Sequence, residues 1–166
     1  MWQLNLPAYK FRIINKSEKP FIFDNIRKKY VALTPEEWVR QNFIQYLITE
    51  KKYPSAYIAI EKQLKINGLN KRYDAVVFNQ NFDPIIIIEF KAPTVTLQQS
   101  VFDQVATYNL KLNVGYFMVS NGLDHYCCML DKTNSKYIFL NGVPDFDSSL
   151  SSIATKFLLM PIRLLS

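Results

Sequence analysis

Ile85-Ile86-Ile87-Ile88-Glu89-Phe90-Lys91 decides the reading of this chain. Four consecutive isoleucines favour extended backbone and imply burial on both faces, as at the centre of a sheet covered by helices. Pro93 cannot donate to a sheet ladder and stops the strand. Side chains alternate along a strand, so Glu89 and Lys91 project from one face and Phe90 from the other. A carboxylate and an ammonium at the end of a doubly buried strand are costly unless they pair or hold an ion.

Upstream, Asn79 to Pro84 reads as a hairpin loop, and Arg72-Tyr73-Asp74-Ala75-Val76-Val77-Phe78 as an antiparallel neighbour with Asp74 inside it. Asn67-Gly68-Leu69-Asn70 is a turn that links this strand to another over residues 56–65. Further back a helix starts: Thr34 is the N-cap, Pro35 suits the first helical position, and Glu37 completes a Thr-x-x-Glu capping box. Val39, Phe43, Tyr46 and Leu47 recur at helical spacing, and Lys51-Lys52-Tyr53-Pro54 ends the helix. Glu36 is expected on that buried stripe, whereas Glu37 is rotated toward Arg40, Gln41 and Ile44. Before the helix, Phe11 to Ile14, Phe21 to Phe23 and Tyr30 to Leu33 read as short extended segments among many basic residues.

Downstream, Leu97, Val101, Val105, Tyr108 and Leu112 predict a second helix over 97–112. Strands follow at 114–120, 126–130 and 137–140, and a short helix from Ser148. The expected order is β-β-α-β-β-β-α-β-β-β, an α/β sandwich with a mixed central sheet. At 166 residues a single domain spanning 1–166 is the expectation.

An antiparallel register lets Asp74 face Glu89, close enough for both to grip one divalent cation, with the Phe90 carbonyl as a third oxygen ligand. Mg2+ suits such a set, because it is held by one or two carboxylates with waters and substrate phosphate completing the octahedron. This fits phosphodiester hydrolysis, with Lys91 orienting the attacking water and stabilising developing charge. Glu36 would add an outer contact to a metal-bound water. Gln104 and Tyr108 stand four residues apart on one helix face.

Composition removes the rivals. One His and two Cys cannot build a zinc site of the usual ligand sets. Four glycines contain neither G-x-G-x-x-G nor the phosphate-binding G-x-x-x-x-G-K. The net charge of +6 makes an anionic partner plausible. Adjacent Cys127 and Cys128 point to opposite faces of a strand and read as buried free thiols, which fits a cytoplasmic location. No signal peptide and no membrane-length apolar run is read.

These residues carry a resemblance. The chain resembles the PD-(D/E)XK nuclease superfamily. More closely, it is similar to the N-terminal domain of type I restriction enzyme R (restriction) subunits. The matching stretches are Leu33 to Gln41, Arg72-Tyr73-Asp74, Ile88-Glu89-Phe90-Lys91-Ala92-Pro93 and Gln104-Val105-Ala106-Thr107-Tyr108. The resemblance covers roughly residues 20–145. It implies a restriction-endonuclease-like sandwich and a Mg2+-dependent DNA endonuclease, with Mn2+ as a substitute. Asp74 and Glu89 would bind metal, Lys91 would be the catalytic lysine, and Gln104, Tyr108 and Arg72 would contact nucleic acid. The family's helix glutamate falls on Glu36, with Glu37 the alternative. Tyr73 stands where the superfamily often has Pro.

The resemblance also implies partners. They are DNA and, if the domain does not act alone, a restriction-modification subunit or separate translocase; apart from the resemblance, a homodimer is attractive because many double-strand cuts need two active sites. The ATP-driven motor of such subunits is not expected in this chain, and no membrane partner is. Two rivals stand beside the nuclease. One is a non-catalytic nucleic-acid-binding or assembly module that keeps the fold. The other is a structural domain whose carboxylates merely pair with Lys91 and Arg72.

Overall fold

A computed structural model describes residues 1–66, 68–112, 114–147 and 150, with backbone alone for residues 66, 69, 108 and 110–112. In chain order the elements are β1 (Ile13–Lys16), β2 (Lys19–Asp24), β3 (Lys29–Ala32) and α1 (Pro35–Thr49). A single 3-10 turn (Ser55–Tyr57) leads into β4 (Ile58–Ile66), β5 (Leu69–Phe78) and β6 (Pro84–Phe90). Then come α2 (Gln99–Leu112), β7 (Tyr116–Ser120), β8 (His125–Asp131) and β9 (Lys136–Phe139). Each of the three N-terminal segments is a strand, one more than the expected order. The short helix predicted from Ser148 lies outside the described residues except for Leu150, which is buried.

The strands form two sheets. One is three-stranded, ordered β1-β2-β3 and antiparallel; the other is six-stranded, ordered β4-β5-β6-β7-β8-β9. The isoleucine run makes β6 an inner strand, antiparallel to β5 and parallel to β7, with α2 in the crossover. Ile86, Ile87 and Ile88 are wholly buried, on alternating sides. Ile86, Ile88 and Phe90 join Val39, Phe43 and Leu47 of α1. Ile87 packs with Val76 and Tyr73. On the α2 side, Phe102 and Val105 meet Phe117 and Val119. Each such isoleucine stabilises the fold by roughly 1.5–3 kcal/mol relative to its exposed state. Cys127 and Cys128 are free and buried in clusters on opposite faces, as their adjacency in a strand requires.

Helix α1 starts as its sequence predicts. Thr34 is extended, its hydroxyl accepts from the Glu37 N–H at 3.1 Å, and Pro35 opens the helix. The N-terminal segment straps across the end of the sheet where β7 turns into β8. Asn5 N–H donates to the Gly122 carbonyl at 2.8 Å, and the Trp38 indole donates to the Trp2 carbonyl at 2.9 Å. Gly122 has φ +85°, and a Cβ there would lie 2.7 Å from a Leu4 methyl. Glycine is therefore needed both for its backbone and for the strap's close approach. Among the described residues, no helix is long and apolar enough to cross a membrane.

Candidate active site

The hairpin of β5 and β6 sets the site. Ala75 pairs with Ile88, so the register places Asp74 opposite Glu89 at the end of the ladder. Asp74 Oδ2 accepts from the Phe90 N–H at 2.7 Å. In an extended strand a residue's N–H and C=O leave on the same side. The Phe90 carbonyl therefore faces β5 and Asp74, while the next N–H, that of Lys91, points the other way and donates to Ser120 O at 2.9 Å.

Glu89 is largely shielded, with 14% of its side chain exposed. Its Oε1 lies 3.5 Å from Lys71 Nζ and has no hydrogen-bond partner. Burial raises its pKa to about 7, and the neighbouring Asp74 carboxylate pushes the same way against Lys71. Two carboxylates crowded at the end of a buried hairpin, one with an unsatisfied oxygen, are a donor set that fits a hard divalent cation. The Phe90 carbonyl lies on the side needed for a third ligand. Among the described residues no group of three His, Cys, Asp or Glu side chains gathers to hold a metal. A cation here would thus depend on two carboxylates, backbone oxygen, water and substrate, which suits Mg2+.

The helix carboxylate is where sequence and structure part. Glu36 is exposed and off the buried stripe; Glu37 is buried, with 4% of its side chain exposed. Glu37 accepts from Arg27 Nη2 at 2.8 Å and Gln41 Nε2 at 2.7 Å, and is ion-paired with Arg40. Arg27 also pairs with Asp24, which receives the Ile26 N–H at 2.7 Å. The stripe expectation failed because the β2–β3 turn, contributing Arg27 and Asp24, covers a second side of the helix. Only the adjacency of Arg40 and Gln41 to Glu37 hinted at this.

Glu61, inside β4, joins the network to β5. Its carboxylate meets Arg72 at 2.9 Å, Arg27 at 3.1 Å and Arg40 at 3.9 Å. Burial and Arg27 weaken Arg40's hold on its proton, and Asp74 and Glu61 strengthen it. Asp74 therefore sits within the field of the arginine network. Glu61 has φ +53°, left-handed backbone in mid-strand, in the β4 position opposite Asp74. Strained non-glycine backbone costs about 1–3 kcal/mol and persists where surrounding contacts over-determine it. Sequence reasoning missed Glu61 and Lys71, since both look like ordinary polar positions of a strand.

The remaining candidates are placed as follows. Lys91 directly follows β6, is half-buried, and makes no ion pair among the described residues. Arg72 is 64% exposed and held by Glu61. Gln104 is exposed on α2; the Tyr108 side chain lies outside the described residues. His125 is structural. Its Nδ1 meets Ser120 Oγ and its Nε2 the Asn5 carbonyl, each at 2.8 Å.

A family model described as type I restriction enzyme R protein N terminus matches residues 35–144, which include every candidate site residue. Among solved structures, a fragment named as an HsdR subunit of a type I restriction enzyme from Vibrio vulnificus aligns at a TM-score of 0.49 and 19% identity. That alignment covers 68% of this chain and 24% of the other, so the present chain spans about a quarter of its length. Comparison with curated proteins finds no match. The mixed sheet with a helix on each face is the α/β sandwich with a mixed central sheet that the order of elements predicts. On the family match over residues 35–144, this chain belongs to the family of type I restriction enzyme R protein N-termini.

Proposed function

We propose that the chain hydrolyses phosphodiester bonds in DNA as a Mg2+-dependent endonuclease, with Mn2+ able to serve. The observation that carries this reading is the Asp74–Glu89 pair. Two carboxylates crowd one end of a buried hairpin, and burial, together with the Asp74 charge, holds the proton on Glu89 up to about pH 7 against the pull of Lys71. A divalent ion bound there supplies neutralisation of the scissile phosphate and acidification of a water.

The chain's own groups do the rest. The Phe90 N–H fixes the Asp74 carboxylate at 2.7 Å and leaves Oδ1 outside that bond. Glu89 contributes its oxygens once ionised. Lys91, without an ion pair among the described residues, orients the attacking water and stabilises charge growing on the phosphate. Arg72, Gln104 and Tyr108 contact the nucleic acid, which fixes position rather than sequence. Glu37 takes the place expected of Glu36, as a positioning residue that holds Arg40 near Asp74.

The test is cleavage of plasmid and linear DNA in Mg2+, Mn2+ and EDTA, with Lys91→Ala and Asp74→Ala alongside. Cutting should require metal and fall by about 100-fold or more in each variant. Full metal-dependent cutting by Lys91→Ala would sink the assignment. Cutting only after addition of a restriction-modification subunit or a translocase would make the activity partner-dependent. Sedimentation during cleavage tests for a homodimer that supplies two sites.

One observation favours a second reading, a nucleic-acid-binding or assembly module that keeps the fold. Lys71 already stands 3.5 Å from Glu89 and partly satisfies it. Calorimetry without Mn2+ heat, together with retained DNA binding, would select that reading.

A further inference from the structure

The three-stranded sheet precedes the family-matched span, which begins at residue 35. Its two faces differ. Ile22 and Asp24 of β2 are buried, while Phe21 and Phe23 alternate outward and remain partly exposed. Strand pairing sets their neighbours on the outer face. Phe21 lies opposite Ile14 and Phe23 opposite Tyr30, and Lys16 lies opposite Lys19. Arg12 holds its guanidinium 3.8 Å from the Phe23 ring centre. Lys16 lies 5.8 Å from the Phe21 ring and 5.9 Å from that of Tyr30. Three rings and three cations thus share one surface with no carboxylate on it. Within residues 10–32, Lys10, Arg12, Lys16, Lys19, Lys28 and Lys29 are exposed, against Glu18 as the one exposed acid.

Two features of this hairpin work against stability. Lys16 and Lys19 are directly cross-strand, where like charges repel. The two residues between them, Ser17 and Glu18, have φ of 46° and 63°, a turn geometry that glycine or asparagine fills with less strain. A sheet that only covered α1 would need neither. A polyanion laid over the outer face removes the lysine repulsion, and the rings offer its bases stacking surfaces. Stacking needs unpaired bases, and every base has a π-face, so the chemistry selects a single strand without sequence preference.

We propose that the outer face of the β1–β2–β3 sheet is a docking platform for single-stranded nucleic acid. Lys16, Lys19 and Arg12 contact phosphates, and Phe21, Phe23 and Tyr30 take the bases. The turn between β2 and β3 carries Arg27, which pairs with Glu37 and Glu61, so the platform is tied mechanically to the candidate active site. The proposal rests on the nuclease reading for its purpose but not for the binding itself.

The test is fluorescence anisotropy of the whole chain with a labelled oligothymidylate in EDTA, so that no cleavage intervenes. Lys16→Glu with Lys19→Glu should weaken binding at least about tenfold, and should flatten the log K against log salt slope by about 1.4, at ~0.7 per lost phosphate contact. Phe21→Ala should weaken it by about fivefold or more. Lys16→Gln with Lys19→Gln should raise the melting temperature while weakening binding, a combination that a merely structural patch does not give. Wild-type affinity in the charge-reversed variant, a preference for duplex over single strand, or binding to anionic lipid vesicles without binding to the oligonucleotide would each overturn the platform. If the wild type cuts DNA yet charge reversal leaves binding intact, the platform falls and the nuclease stands. If charge reversal abolishes binding and the wild type cuts nothing, even with a restriction-modification subunit or a translocase added, the platform stands and the nuclease reading falls.

Discussion

Glu37 at the start of α1 and Glu89 at the end of β6 are both carboxylates largely shielded from solvent, and they are treated in opposite ways. Glu37 receives two guanidinium groups and an amide, so its charge is matched oxygen by oxygen. Glu89 has one ammonium at 3.5 Å, an unsatisfied Oε1 and a second carboxylate beside it. A low-dielectric interior strengthens a completed network and penalises an incomplete one. Glu37 therefore acts as structure, and Glu89 as a position that stays short of positive charge.

The contrast can be broken from either side. Removing Glu37 as Glu37→Ala leaves Arg40 with only Glu61 at 3.9 Å and Arg27 with Asp24 and Glu61, and should lower unfolding free energy by about 1–3 kcal/mol, read by urea denaturation. A loss below ~1 kcal/mol would mean that the network is solvated and not structural.

Glu89→Gln should do the reverse. The Glu89 carboxyl keeps its proton to about pH 7 in the folded chain, against an ordinary value of 4.5. Between those values the folded state binds more protons than the unfolded one, so stability falls as pH rises, and the whole penalty is present above pH 7. The variant should thus match the wild type near pH 4 and exceed it at pH 8 by on the order of 1–3 kcal/mol. Calorimetry sharpens this further: Mn2+ binding should strengthen as pH rises through 7 and release a proton below it. A wild-type stability that rises from pH 5 to 8 by the same amount in both proteins would remove Glu89 as the source.

The smallest effect is expected where neither carboxylate is touched. Thr34→Ala removes the hydroxyl that caps α1 and should cost about 1 kcal/mol, with no change in the pH dependence assigned to Glu89.

Much of this was legible in the sequence for local reasons. Ile85 to Ile88 announce an inner strand because four β-branched residues in a run that short, bounded by Pro84 and Pro93, favour extended backbone buried on both faces. Thr34, Pro35 and Glu37 announce a helix start because capping is a contact between near neighbours. Asp74 and Glu89 could be paired because a short loop joins their strands. What escaped depends on distant chain. Glu37 is drawn inward by Arg27, ten residues earlier in a separate sheet. Glu61 acquires three arginines from three different elements. Lys71, three residues before Asp74 on β5, is the cation that meets Glu89 in place of Lys91 and Arg72, a choice that side-chain reach in three dimensions makes and a sequence does not display. Helical periodicity reported the apolar stripe of α1 faithfully. It could not report that a second side of the helix is also covered.

The N-terminal strap has a kinetic consequence. Asp74 and Phe90 are 16 residues apart, whereas Asn5 and Leu123, joined by a 3.2 Å hydrogen bond, are 118 apart. Closing the longer loop has the larger entropic cost, and its reward comes only after the sheet beneath it exists. The carboxylate hairpin should therefore assemble early and the strap should latch last. Leu4→Ala should then quicken unfolding in stopped-flow denaturant jumps and leave the refolding rate nearly unchanged, the signature of a contact absent from the transition state. Equal slowing of refolding would place the strap in the nucleus. As a late latch, the strap governs how long the folded chain persists, while the hairpin governs how fast it is reached.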